Sequence, residues 1–391
     1  MIIPVAERLK QVPEYYFSHK LREVRELSAR GQEVINLGIG NPDLPPPPEA
    51  VRALQETAAL PAGHGYQPYR GIPELRRAMA DWYERTYGVH LNPETEVLPL
   101  MGSKEGVVHI SLAFLNPGDQ VLVPDPGYPA YAAAARLAGA EPVFYHLREG
   151  QGWLPDWKEL AALDTSRVRL MWVNYPHMPT GALADGEDFA RLIAYARERR
   201  ILLCHDNPYS LILNPRPPLS ILSLPGAGEC AVELNSLSKS FHMAGWRVGL
   251  VVGAAPYVEA IAQVKSNQDS GMFLPVQRAA IAALGASPQW HARQNAVYAR
   301  RREMVHRLLG MLGCTCSPDT AGLFVWGKLP PEAPHAEAFV DALLYSAGVF
   351  VAPGTVFGRN GRGYIRVSLC APEERIQQAM NRIQQTMRVE I

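Results

Sequence analysis

The spacing of apolar residues divides the chain into a short series of elements. Val5 to Arg30 mix apolar and charged positions at helical spacing, with Leu21, Val24 and Leu27 on one face, which predicts an N-terminal helix. Val34 to Ile39 read as a short strand carrying Gly38 and leading to Gly40, whose lack of a side chain permits close backbone approach to a ligand. A proline-rich stretch through Pro48 follows and reads as a rigid crossing between domains. From Glu96 onward, apolar runs recur at Val97–Leu100, Gln120–Val123, Val168–Val173, Ile201–Cys204, Ala231–Leu234 and Val248–Gly253. Helical patterns lie between several of them, one from about Lys104 to Phe114. Short continuous runs alternating with helices predict a mostly parallel sheet covered on both faces.

A helical pattern from Pro275 to Leu284 ends this region, and a long charged amphipathic helix from about Pro288 to Leu312 opens the next. Strands are expected there at Leu323–Trp326, at Val349–Ala352 and around Ile365, Val367 and Leu369. The alternation in the last of these sends Tyr364, Arg366 and Ser368 to the opposite face. The expected organisation is an arm at 1–44 that joins a smaller α+β domain, a large domain at 45–287, and the rest of the small domain at 288–391.

Composition narrows the partners. The 391 residues are 47% hydrophobic and 19% charged, with 38 basic against 38 acidic residues. That balance gives no electrostatic case for nucleic acid or an anionic membrane. The five cysteines are scattered without the spacing of a zinc or redox motif, and the histidines have no metal-ligand spacing, so no metal is expected. No apolar run approaches membrane-spanning length and no signal-peptide core is visible, so the expected location is the cytoplasm.

The chemistry centres on Asn235–Arg247. Lys239 stands among Ser236, Ser238 and Ser240, between two apolar runs that read as buried strands, with Arg247 eight positions on. A solvated surface turn is the ordinary explanation of such a lysine. A turn between buried strands, however, lies at a sheet edge where ligands bind. Partial desolvation and a neighbouring cation favour the neutral, nucleophilic amine. Ser236, Ser238 and Arg247 supply hydroxyls and a guanidinium suited to a phosphate dianion. A nucleophilic amine beside a phosphate site points to pyridoxal 5'-phosphate. Asp206, at the end of the run Ile201–Cys204, is either a turn cap or a carboxylate retained to keep a pyridine nitrogen protonated. Gly102-Ser103-Lys104 precedes a helix whose first backbone N–H groups suit a phosphate.

The Ser-x-Ser-Lys and Gly-x-Arg pattern resembles the cofactor-lysine motif of the class I/II aminotransferases of fold type I, and the resemblance extends over nearly the whole chain. It implies an α/β fold with a large domain built on a mostly parallel seven-stranded sheet. Lys239 would carry the cofactor. Ser103, Lys104, Ser236, Ser238 and Arg247 would hold its phosphate, Tyr128 would stack on its ring, Asp206 would face the ring nitrogen and Tyr209 the phenolic oxygen. Arg366, in Tyr-Ile-Arg-Val-Ser, would grip the substrate carboxylate, which would rest on Gly40. Tyr66 would reach the partner subunit's phosphate site, implying a homodimer. One position departs from the pattern. Met178 stands where an asparagine usually precedes Pro-Thr-Gly, leaving Tyr209 as the main phenolic partner unless Asn174 or His177 swings in.

Within that family, Gly-Ser-Lys-Glu-Gly, the Leu37–Asp43 segment and Val12–Phe17 are most similar to the LL-diaminopimelate and alanine aminotransferases, which would make Tyr15 a substrate-side residue. The resemblance implies exchange of an amino group between an L-amino acid and a 2-oxo acid, with glutamate and 2-oxoglutarate as one pair. LL-diaminopimelate, alanine or aspartate is expected in the other. The same scaffold also supports a carbon–sulfur β-lyase, whose turnover would not depend on a 2-oxo acid. A regulator lacks room for a DNA-binding domain before residue 30, and a dinucleotide-binding protein lacks its glycine fingerprint.

Overall fold

The computed structural model describes residues 3–12, 14 and 16–389. Its centre is a seven-stranded sheet of β1 (Val97–Leu100), β2 (Gln120–Asp125), β3 (Glu141–His146), β4 (Val168–Val173), β5 (Leu202–Asp206), β6 (Ala231–Ser236) and β7 (Gly249–Gly253). Their order is β1-β7-β6-β5-β4-β2-β3, and only β7 runs against its neighbours. The expected mostly parallel α/β sheet is therefore present. Strand β3 is an addition: it lies at the sheet's edge, and Glu141 and His146 leave only a short apolar run, Val143–Tyr145, between them.

Burial explains the central runs. Every residue of β5, β6 and β7 is buried, since helices cover both faces. Local chemistry sets the helix starts: Pro73, Pro129 and Pro288 occupy first-turn positions, and Asp185 forms a capping box with Asp188 for Gly186–Arg199. The carboxyl ends of β1, β2, β4, β5 and β6 meet at one edge, where an open α/β sheet presents its ligand site.

A second, antiparallel sheet holds β8 (Thr315–Cys316), β9 (Phe324–Lys328), β10 (Ala352–Pro353) and β11 (Tyr364–Ser368), ordered β10-β11-β9-β8. A buried cluster including Val305, Leu308 and Leu309 of the long helix Pro288–Met311 packs on it. The N-terminal stretch forms two helices, Glu7–Lys10 and Tyr16–Ala29, in place of the single one expected. Phe17 and Val24 join this same cluster. Ile35–Asn36 pairs in parallel with Val349–Phe350, and Ser368 N–H donates to the Leu37 carbonyl at 2.7 Å. This pairing carries Gly38 to Gly40 between β11 and the carboxyl edge of the large sheet.

Candidate active site

The two sheets enclose a cavity of about 370 Å³. It is lined by Gly40, Ser103, Lys104, Tyr128, Asp206, Tyr209, Ser236, Ser238, Lys239, Arg247 and Arg366, so residues spread over 327 positions of sequence converge here. Tyr66 does not line it. That side chain is 94% exposed. Tyr15 lies outside the described residues.

Lys239 sits on the short helix Leu237–Ser240, started by Ser236, whose Oγ accepts the Ser238 N–H at 3.1 Å. Its amine donates to the Gly40 carbonyl at 2.6 Å. Burial lowers its pKa, and the Arg366 and Arg247 charges add to that, against Cys370 and Asp206, which raise it. Gly40 is a close-approach glycine: a Cβ there would overlap the Phe324 ring.

The wall expected to face the phosphate is backbone held from two directions. Gly102 has φ +88°, and the space a Cβ would fill is taken by the Arg247 guanidinium. Arg247 donates to Ala244 O at 2.9 Å and to Ser238 Oγ at 3.4 Å. On the other side, Glu105 accepts the Met101 N–H and is itself held by His109 Nε2 at 2.7 Å and Lys265 Nζ at 3.2 Å. Gly249 lacks a Cβ that would lie 2.6 Å from the Ser103 nitrogen. We expect Gly102→Ala to raise the dissociation constant for a phosphate-bearing cofactor about tenfold, by straining φ and displacing Arg247. Cofactor titration followed by tryptophan fluorescence measures it, and an unchanged constant would contradict this account of the wall.

Asp206 ends β5 with Oδ2 accepting from Tyr131 OH at 2.8 Å. Its Oδ1 is buried without a hydrogen-bond partner. Burial pushes the carboxyl up to about 6, against the Tyr131 hydrogen bond. Such an oxygen is costly unless a donor reaches it. Tyr131 was not singled out from sequence, and its ring stacks on Trp172 at 4.8 Å.

Arg366 is 4% exposed, not solvated. Its guanidinium lies 3.9 Å from the ring centre of Phe324, 4.6 Å from that of Phe357 and 5.4 Å from that of Phe17. It donates to Gly38 O at 2.7 Å and to Met178 Sδ at 3.2 Å. None of these aromatic partners was visible in the sequence pattern, since they come from three distant segments. Asn174 lines the cavity, but its amide is engaged by the backbone, and His177 does not line it. Asn174 donates to Asp206 O at 2.6 Å and accepts from Met178 N at 2.8 Å, while His177 Nδ1 pairs with Thr180 Oγ1 at 2.7 Å.

These residues fit pyridoxal phosphate on their own chemistry. A desolvated amine, an unpartnered buried carboxylate oxygen, and a wall of hydroxyls, guanidinium and helix-start N–H groups face one space.

Residues 32–383 match the class I and II aminotransferase family. An LL-diaminopimelate aminotransferase of Desulforudis audaxviator is 44% identical over 381 residues, covering 97% of this chain and 96% of that one. Among solved structures, substrate-bound BacF of Bacillus subtilis superposes with a TM-score of 0.93 at 38% identity, covering 98% of each chain. A probable N-succinyldiaminopimelate aminotransferase of Thermus thermophilus gives a TM-score of 0.87 at 35% identity, covering 95% of this chain and 99% of that one.

Proposed function

Because this chain belongs to the class I and II aminotransferase family, we propose that it binds pyridoxal 5'-phosphate through Lys239 and exchanges an amino group between LL-diaminopimelate and 2-oxoglutarate. The observation that carries the reading is the enclosure of Lys239, Asp206 and Arg366 in one cavity. The choice of diaminopimelate follows the full-length similarity to proteins of that name.

When bound, the cofactor supplies an aldehyde for attachment to an amine and an electron-poor ring that accepts the electron pair left when an amino-acid Cα loses its proton. Ser103, Lys104, Ser236, Ser238 and Arg247 would hold its phosphate, Tyr128 would pack against its ring and Tyr209 would serve its phenolic oxygen. Asp206, whose Oδ1 is buried without a partner, would accept from the ring nitrogen and keep it protonated. Arg366 takes the α-carboxylate and Gly40 lets it approach the backbone. With the cofactor bound, Lys239 Nζ would be the group placed to take the proton from the substrate Cα and return it. Tyr66, turned outward, serves a second copy of the chain in a homodimer. Among the described residues no helix is long and apolar enough to cross a membrane.

The test is glutamate formation from LL-diaminopimelate and 2-oxoglutarate. Turnover that requires the 2-oxo acid supports the proposal, and turnover that ignores it fits the β-lyase. Arg366→Lys keeps the charge but loses the paired bonds, so KM for both substrates should rise about 10- to 100-fold with a smaller effect on kcat. An unchanged KM removes Arg366 from the clamp role. Met178 offers no donor to the phenolic oxygen. Met178→Asn adds one, drawing charge from that oxygen, and should lower the pKa of the bound cofactor's visible band by about one unit. Absorption titration reads this, and no shift, or a rise, contradicts it.

A further inference from the structure

We infer that His205, which does not line the cavity, is a positioning residue for Asp206. With Glu233 it forms a buried ion pair whose positive end borders Asp206 and whose negative end lies one strand further away. The inference rests on the reading of Asp206 as the partner of a protonated ring nitrogen.

Strand geometry places the pair. Successive residues of β5 face opposite sides of the sheet, so Asp206 faces the cavity while His205 is turned to the other face, against the Phe189 ring at 4.9 Å. His205 stands directly opposite Glu233 in the β5–β6 register, which brings their side chains together on that face. Both are fully buried.

Hydrogen bonding sets the charges. His205 Nε2 is 2.9 Å from the Tyr175 carbonyl oxygen, which can only accept, so Nε2 carries hydrogen. Nδ1 is 2.8 Å from Glu233 Oε2. The Glu233 carboxylate also accepts from Tyr83 OH at 2.9 Å, Asn207 Nδ2 at 3.2 Å, Ser220 Oγ at 2.8 Å and Ile221 N–H at 3.0 Å. So many donors suit an ionised carboxylate. On this inference the proton between the two groups rests on Nδ1, beside a carboxylate that four other donors suit to a negative charge.

The field of this pair at Asp206 has a sign. Groups acting on the Asp206 carboxyl are Tyr131 on the helix above it, Lys239 across the cavity, and the His205–Glu233 pair beneath. After burial and the Tyr131 hydrogen bond, His205 is the strongest influence, favouring the carboxylate, and Glu233 opposes it less. The pair thus acts as an oriented dipole that supports a negative Asp206, and through it a protonated ring nitrogen.

The test reads the ring nitrogen directly in the holoenzyme, by reconstituting with cofactor labelled with nitrogen-15 and following its resonance against pH. Wild-type protein and His205→Asn are compared. His205→Gln, which keeps a donor toward Glu233, serves if the first variant does not fold. Loss of the positive end raises the proton affinity of the Asp206 carboxylate, so the shared proton should move from the ring nitrogen toward Asp206 and the nitrogen-15 resonance should shift toward its unprotonated position. A role confined to packing would change thermal stability and leave that titration in place, and such a result overturns the inference. Asp206→Asn is the control. If it shifts the resonance and the His205 variants do not, only the inference fails. If it leaves the resonance unchanged, the underlying reading of Asp206 fails as well.

Discussion

Lys239→Ala should abolish the visible band of the reconstituted protein and reduce turnover about 10³-fold or more. Both effects come from one atom. In the proposed mechanism Nζ both attaches the cofactor and moves the Cα proton, and in the structure it is held over the site by the Gly40 carbonyl at 2.6 Å. Burial keeps its pKa below that of a free lysine, so the neutral amine is reached at less cost near neutral pH. Cofactor should still be retained through Ser236, Ser238 and Arg247, because that wall does not depend on the amine. Absorption spectra and single-turnover kinetics check both halves. A variant with its visible band and rate intact would show that another amine does this work.

Asp206→Asn should lower kcat about 10²- to 10³-fold with a much smaller change in KM. The substitution is nearly isosteric and leaves room for the Tyr131 hydrogen bond, so the fold is expected to persist. On the proposed reading the substitution removes the negative charge that would face the ring nitrogen, a charge whose contribution would be largest in the transition state. A loss expressed mainly in KM would instead mean that Asp206 acts in ground-state binding. Steady-state kinetics with LL-diaminopimelate and 2-oxoglutarate separate these outcomes.

The parts of this molecule legible in the sequence are those encoded by short stretches of chain. Runs such as Ile201–Cys204 and Ala231–Leu234 read as strands because both faces of the central sheet are covered, leaving little polar interruption. Residues placed where those strands end, Asp206 and Ser236 among them, inherit a position at the ligand edge from topology alone. Strand Glu141–His146 was missed because an edge strand needs no continuous apolar run. The phenylalanine cage of Arg366 was also missed. Phe17, Phe324 and Phe357 meet only after the N-terminal helix docks on the small sheet, and nothing local marks them. Asn174 shows the same limit, since its two hydrogen bonds depend on where the backbone of Asp206 and Met178 lies. Tyr131 needed the sheet as well, its hydroxyl meeting Asp206 across 75 positions.

The most direct measurement is the absorption spectrum of the purified protein with pyridoxal phosphate, before and after L-glutamate. The account predicts a visible band that gives way to the near-ultraviolet absorption of the pyridoxamine form, with one 2-oxoglutarate released per site, and borohydride reduction that labels Lys239. Absence of a visible band, or a label on any other lysine, would contradict it.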